Sequence, residues 1–325
     1  MELICPAGTP AALRAAVDAG ADAVYCGFRD ETNARNFPGL NFSQEELRAG
    51  IAYARNHGVR VLVAINTFAR AGSLDVWERA VDAAADAGAD ALIVADVGVL
   101  DYAARHHPYQ RLHLSVQAAA ANPDAIDFYV KAFGVRRVVL PRVLSVPEIA
   151  AITREVDCET EVFVFGGLCV MEEGRCSLSS YATGESPNMN GVCSPASHVH
   201  YREQDGQLVS RLGAFTVNKF AAGEPAGYPT LCKGRFQTEH GAGYLFEDPV
   251  SLDATSMLPD LRKAGVTALK IEGRQRGRAY IERVVRNFRR ILAGLESDFG
   301  GPSGDLVSLT EGQSTTAGAY RKSWR

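Results

Sequence analysis

No apolar run in this sequence approaches the roughly 20 residues that cross a bilayer as a helix, so no transmembrane helix is expected. Surplus positive charge is missing too: 34 Lys and Arg stand against 38 Asp and Glu, a net charge of −4. Such a chain has few spare cations with which to displace counterions from a nucleic acid, and no nucleic-acid partner is expected. Ahead of the first strand-like run at Leu3 there is no basic segment, apolar core or small-residue cleavage site. No secretory signal is therefore read, and a cytoplasmic location is expected. Seven cysteines in that reducing setting point to metal binding or catalysis before disulfides. Several motifs are also absent. Without a Gly-x-Ser-x-Gly elbow or a His-Glu-x-x-His pair, hydrolytic chemistry of the serine or zinc-protease kind has no anchor. Without a glycine fingerprint in the first unit, a dinucleotide site has none either.

What is present is an alternation of short apolar, β-branched runs with longer segments of helical period, the pattern of βα units on a parallel sheet. Eight runs qualify as strands: residues 3–5, 23–26, 59–65, 91–95, 112–116, 137–140, 161–165 and 267–271. Amphipathic segments such as residues 43–56 and 74–87 follow them, with Ser43 and Asp75 placed to cap the orphan amides. Gly20, Gly88, Gly134 and Gly265 follow helical segments and fit the left-handed position past a C-terminus. Eight such units suggest an α/β fold of the closed (β/α)8, TIM-like barrel type, although an open doubly wound sheet has the same local pattern. The expected organisation is one barrel over residues 1–294 and a polar C-terminal tail over 295–325, packed on the barrel or on a partner. A long excursion, residues 166–254, separates strands seven and eight at the end of the barrel where such enzymes build their sites.

That excursion holds Cys169, Cys176, Cys193 and Cys232, with six, sixteen and thirty-eight residues between successive members. None of these gaps is the tight Cys-x-x-Cys knuckle of structural zinc sites or the Cys-x-x-x-Cys-x-x-Cys of radical enzymes. Four thiolates are the ligand set of a [4Fe-4S] cubane, but zinc and four unrelated core cysteines stay open on spacing alone. Gly166, Gly167, Gly174 and Gly191 would let backbone approach closely, and Pro195 and Pro229 would stiffen the turns.

The stretch Glu161-Val162-Phe163-Val164-Phe165-Gly166-Gly167-Leu168-Cys169, continued by Gly174, Cys176 and Ser179, resembles the signature of peptidase family U-32, the collagenase-like group. Gly167 departs from it, standing where the family usually carries Ser or Ala. Within that family the chain is similar to the branch that serves ubiquinone biosynthesis in oxygen-independent growth. The similarity rests on Cys5-Pro6-Ala7-Gly8, Thr32-Asn33-Ala34-Arg35, Gly39-Leu40-Asn41-Phe42, Ala64-Ile65-Asn66-Thr67-Phe68, the run from Val138 to Ser145, Thr183-Gly184-Glu185-Ser186-Pro187-Asn188, the run from Gly227 to Arg235, and Lys270-Ile271-Glu272-Gly273-Arg274-Gln275. The resemblance implies one [4Fe-4S] cluster on Cys169, Cys176, Cys193 and Cys232. It also implies a heterodimer with a homologous iron-sulfur protein, and ring hydroxylation of a prenylated phenol without molecular oxygen. Delivery of that phenol by a lipid-binding protein is one route, and prephenate is the implied oxygen donor. The alternatives are a prephenate-dependent RNA hydroxylase, a peptidase and a non-catalytic cluster subunit. RNA-hydroxylating members usually carry additional C-terminal sequence, whereas this chain stops soon after the eighth unit.

Barrel geometry nominates further residues, since polar groups at the C-terminal ends of strands face the site. These are Asn66, Asp96, Gln117, Arg142, Glu272 and Arg274, with Arg142 and Arg274 suited to grip the carboxylates of a diacid. Asn33, Arg35 and Asn36, after the second strand, are weaker candidates. Cys5, Cys26 and Cys158 are expected to pack the core, and His106, His107, His198 and His200 to be structural or exposed. Arg276, Arg283, Arg286 and Arg290 read as one solvated face of the last helix.

Overall fold

A computed structural model describes residues 1–169, 176–296, 306–310 and 314–321. Its core is a closed barrel of eight parallel strands. β1 (Glu2–Pro6), β2 (Ala23–Gly27), β3 (Arg60–Ile65), β4 (Ala91–Val94), β5 (Leu112–Leu114), β6 (Arg137–Val139) and β7 (Glu159–Gly167) pair in chain order. Closure comes from the strand at Ala268–Ile271, which pairs in parallel with both β1 and β7. All eight expected strands are present, and the open doubly wound alternative is removed by that closure. Helices α1 (Pro10–Asp18), α2 (Gln44–Asn56), α3 (Leu74–Asp86), α4 (Val97–His106), α5 (Pro123–Phe133) and α6 (Val146–Glu155) connect them. Ser43 caps α2 in a reciprocal capping box with Glu46, as its position suggests. Asp75 does not cap α3: the N-cap is Ser73, and Asp75 is the second helical residue, in the first turn, paired with Arg79 at 2.5 Å.

Alternation along the strands divides the apolar side chains in two. Leu3, Val24, Val63 and Leu92 face the helices in the large outer core, while Ile4, Tyr25, Leu62, Ala64 and Ile93 form a separate cluster inside the barrel. The interior opposite that cluster is charged rather than apolar. Arg137, 1% exposed, bonds Glu159 and Glu161 on the neighbouring strand and reaches Glu2 of β1 at 2.7 Å. Glu161 in turn accepts from Lys270 at 2.5 Å. Beside them His113 accepts from Arg111 at 2.9 Å through Nε2.

The excursion after β7 is a built subdomain instead of a loop. It contains α7 (Ser177–Thr183) and α8 (Pro187–Asn190), then an antiparallel meander of β8 (Val199–Gln204), β9 (Gln207–Leu212) and β10 (Phe215–Phe220). A hairpin of β11 (Arg235–Thr238) and β12 (Gly241–Tyr244) follows. β13 (Ser251–Asp253) then returns antiparallel to the end of β7. After it come α9 (Leu258–Lys263), the closing strand β14 (Ala268–Ile271) and α10 (Arg278–Glu296). Arg276 precedes α10, so the basic face is carried by Arg283, Arg286 and Arg290, all exposed. In the tail, β15 (Thr315–Thr316) joins β13, and the buried Tyr320 donates its hydroxyl to the Phe163 carbonyl. The described part of the tail therefore packs on the barrel; Gly174 and most of the polar tail lie outside the described residues. None of the helices among the described residues is long and apolar enough to cross a membrane.

Two outcomes follow from the charged interior. Burial among Arg137, Arg111 and Lys270 holds the His113 imidazole well below its ordinary value of 6.5. Between the two values the unfolded chain binds a proton that the folded chain refuses. Stability is thus retained above about pH 6.5 and lost below it, by up to about 1.4 kcal/mol per pH unit. Urea titrations at stepped pH should show this slope in the native protein and its loss in His113→Leu. Arg137→Met should cost about 3 kcal/mol in the same assay, because it takes from Glu161 and Glu159 one of their two partners and leaves each with one, Lys270 and Arg111.

Candidate functional site

The C-terminal mouth of the barrel opens into a cavity, about 500 Å³ with its solvent-open entrance included, lined by Asn66, Ser115, Gln117, Arg142, Lys270, Glu272 and Arg274, with Tyr25, Ile93 and Phe163 as walls. Each polar member is fixed by the strand end that carries it. Asn66, directly after β3, accepts from the Ala34 amide at 3.0 Å and donates to Ser115 Oγ at 3.1 Å, holding the loop after β2 across the mouth. Arg142 donates to the Gly167 carbonyl at 2.7 Å and lies 4.3 Å over the Phe163 ring. Glu272 accepts from the Gly167 amide at 3.0 Å and faces Arg35 at 3.7 Å. Arg274, 4% exposed, donates to Asn33 Oδ1 at 3.1 Å, and burial brings its guanidinium down to about 10.

Of the residues that the sequence nominated, Asn66, Gln117, Arg142, Glu272, Arg274 and Arg35 all meet at this cavity. Asn33 supports it from behind through Arg274. Asp96 does not belong: its carboxylate caps α4 by accepting from Gly98 and Val99, and also takes the Ala69 amide. Asn36 stands against Gly191 outside the cavity lining. The residue missed was Lys270. It sits in a strand that reads as apolar, yet shares the inward parity of Ala268, and its Nζ lies 4.1 Å from the Tyr25 ring. Burial, opposed only in part by Glu161, pushes its ammonium below the ordinary lysine range.

Directly beyond the mouth is a second recess, about 770 Å³ with its solvent-open side included, lined by Cys169, Cys176, Cys193 and Cys232 together with Leu168, Ser179, Asn188 and Gly191. Four cysteines drawn from segments up to 63 residues apart, by subtraction of 169 from 232, therefore share one space. Burial pushes the Cys232 thiol up to about 12, and the neighbouring sulfurs of Cys169, Cys193 and Cys176 oppose its ionisation further. Burial raises Cys193 as well, against the pull of Arg35. Buried thiols become thiolates when a cation joins them, and four cysteines around one recess are a donor set that fits a metal centre. Among the described residues no three His, Cys, Asp or Glu groups stand at the spacing of a single-ion site. What the thiols have in common is the recess.

The two spaces share Ala34, Arg35, Gln117 and Arg142 as walls. Asn188 bridges them, accepting from the Cys176 amide at 3.2 Å and donating to Gln117 Oε1 at 3.3 Å. Glycines make the junction close enough. Gly191, at φ +80°, lies so near the Asn33 carbonyl that a Cβ would stand 2.3 Å from it. Gly166, at φ +112°, places the end of β7 against the Glu272 backbone, where a Cβ would meet the carbonyl oxygen at 2.5 Å. Gly166→Ala should therefore lose at least about 2 kcal/mol of stability, read as a lowered urea midpoint.

The remaining cysteines and histidines have structural surroundings. Cys5 and Cys26 are fully buried, while Cys158 is only partly covered at the edge of the outer core. His107 pairs with Asp82 at 2.7 Å, and His106 stacks on Tyr102. Neither His198 nor His200 lines either space.

Comparison with known proteins places this geometry in a lineage. The chain matches peptidase family U32 over residues 8–303. It is 34% identical over 313 residues to the tRNA hydroxylation protein P of Escherichia coli (strain K12), covering 90% of this chain and 67% of that protein. To the tRNA hydroxylation protein P1 of Bacillus subtilis (strain 168) it is 31% identical over 291 residues, covering 90% and 63%. The 23S rRNA 5-hydroxycytidine C2501 synthase of Escherichia coli is 29% identical over 316 residues, covering 96% and 42%. The chain thus spans about two thirds or less of the length of these relatives. With the match running through the barrel, the cation-lined cavity and the cysteine-bearing subdomain alike, the chain belongs to peptidase family U32.

Proposed function

We propose that this protein is the iron-sulfur subunit of an oxygen-independent hydroxylase, with one [4Fe-4S] cluster on Cys169, Cys176, Cys193 and Cys232 and a carboxylate-bearing oxygen donor in the barrel cavity. The observation that carries the proposal is the adjacency of four cysteines sharing one recess to a cavity lined by Arg35, Arg142, Lys270 and Arg274. Among the described residues the cavity walls carry these four cations and one carboxylate, Glu272, a lining that suits an anionic occupant. Prephenate, a diacid with an apolar ring, suits the cations together with the Phe163, Ile93 and Tyr25 walls. When bound, a cluster with four thiolate ligands supplies electron transfer and keeps no vacant iron. Substrate is then held by the chain's own groups: Arg142 and Arg274 orient carboxylates, Asn66 and Ser115 fix the loop above them, and Gln117 stands between donor and recess.

For the acceptor we propose the aromatic ring of a prenylated ubiquinone precursor, worked on together with a homologous cluster-bearing partner in a heterodimer. The support is the similarity of the Thr183–Asn188, Gly227–Arg235 and Lys270–Gln275 stretches to the ubiquinone-biosynthesis branch. An RNA nucleoside is the second reading, favoured by relatives named for tRNA and rRNA hydroxylation, and it stands against the expectation of no nucleic-acid partner. Peptide hydrolysis has little support among the described residues. Ser115, the hydroxyl in the barrel cavity, is engaged by Asn66 and the Gln117 amide, with no imidazole beside it to act as base.

Anaerobic expression with and without the partner, followed by iron and sulfide analysis and prephenate-dependent assays on a prenylphenol and on undermodified tRNA, tests this directly. Four irons per chain and product from the phenol are expected; product from tRNA alone selects the second reading, and zinc-loaded, iron-free protein removes the cluster. Arg142→Ala should keep its iron and lose turnover by roughly 30- to 5,000-fold, the range for truncating a buried charged contact of about 2–5 kcal/mol. Unchanged turnover would take Arg142 out of the site.

A further inference from the structure

The barrel cavity holds a group that binding alone does not require. Lys270 is 4% exposed, and its Nζ borders the cavity, 4.1 Å from the centre of the Tyr25 ring and 6.0 Å from that of Phe163. At 2.5 Å stands Glu161, fully buried and itself fixed by Arg137 at 3.2 Å. The cavity side carries the cations Arg274 and Arg142 and the carboxylate Glu272, which is engaged by the Gly167 amide and Arg35. Arg274 has Asn33, a neutral amide, as its hydrogen-bond acceptor instead of a carboxylate. A desolvated amine next to like charge, with a carboxylate in reach to take its proton and a guanidinium available for a substrate carboxylate, is the constellation that makes lysine a nucleophile toward carbonyls. The barrel supplies the rest: the amine stands on a strand, not a loop, and is held between Tyr25 and Glu161.

We propose that Lys270 condenses with the ketone of a 2-oxo acid held in the barrel cavity, the acid's carboxylate resting on Arg274, to form a covalent imine. The ammonium first passes a proton to Glu161. The amine nitrogen then forms a bond to the carbonyl carbon, and the carbonyl oxygen leaves as water, taking up the two protons that the amine gives up. Glu161 returns its proton to the imine nitrogen. One amine and one ketone become one imine and one water, and nothing is oxidised or reduced. The inference rests on the cavity being the donor site, and it sharpens the donor's chemistry: prephenate qualifies because its side chain ends in a 2-oxo acid, and carbonyl-free diacids do not. Lys270 would fix that side chain at the closed end and leave the ring toward Gln117 and the recess.

The test is reductive trapping. Cluster-loaded protein is incubated with pyruvate or phenylpyruvate and cyanoborohydride, digested, and mapped by mass spectrometry. The expected result is one reduced adduct on Lys270, suppressed by an excess of a carbonyl-free diacid and absent from Lys270→Arg, a variant that keeps a cation beside Glu161 and whose melting curve reports folding. An adduct confined to the exposed Lys131, Lys219 and Lys263, or none at all, overturns the proposal. So does Lys270→Arg turning over at the native rate, a result that leaves the hydroxylase reading standing. Trapping at Lys270 in a protein that hydroxylates nothing keeps the imine and removes that reading.

Discussion

The fold depends on charge buried where a barrel of this kind usually packs aliphatic side chains. Arg137 sits in the interior at 1% exposure and ties β6 to β7 through Glu159 and Glu161 and, across the barrel, to β1 through Glu2. Glu2 also takes Arg60 of β3. Strands that are not neighbours in the sheet are thereby laced together. Desolvating these groups is costly, and the geometry that offsets the cost is multiple pairing, since every buried charge in the line faces at least one opposite charge. Burial raises the Glu2 and Glu159 carboxylates less than the Arg137, Arg60 and Arg111 contacts lower them, so both remain ionised.

That lacing determines what the other end of the barrel can be. Glu161 faces inward from β7 and is satisfied by Arg137 on one side and Lys270 on the other. Because it is used in this way, its charge is held at the floor and is not turned toward Arg274 at the mouth. The carboxylate that lines the mouth among the described residues, Glu272, is engaged by the Gly167 amide and Arg35. Arg274 has the neutral amide of Asn33 as its acceptor, so the paired floor and the arginine-lined mouth are two results of a single arrangement.

Legibility in the sequence follows the same division. The eight strands were readable because both faces of each are buried, which makes them continuous apolar runs bounded by glycine. Cys169, Cys176, Cys193 and Cys232 stood out by residue type and by the resemblance, and Arg142 and Arg274 by their place at strand ends. Lys270 was hidden because a lone lysine inside Ala-Leu-Lys-Ile does not disturb an apolar strand, and its partner Glu161 lies 109 positions away. The meander escaped because β8 carries His, Tyr, Arg, Glu and Gln, mostly exposed, so its core rests on few residues: Leu212, Val217 and Leu231. Asp96 misled for a different reason. Directly after a barrel strand an aspartate serves as well for capping the next helix as for chemistry, and here the amides of Gly98 and Val99 claim it.

The cysteine recess and the barrel cavity are built by different parts of the chain, yet hydrogen bonds connect them without a gap. From the Cys176 amide the path runs through Asn188 to Gln117, whose own amide donates to Ser115, and from Ser115 through Asn66 to the Ala34 amide beside Arg35. Every element is short, polar and held by backbone on at least one side, so a shift of the Cys176 segment is passed to the residues that line the barrel cavity. Gly191 against the Asn33 carbonyl supplies a second contact between the same two regions. Since Arg35 borders both spaces and also pairs with Glu272, a change of charge among the thiols acts on the cation balance of the cavity through one side chain. The subdomain therefore forms one wall of a two-chamber arrangement: the four cysteines line one chamber, the strand-end cations line the other, and Arg35, Gln117 and Arg142 stand between them.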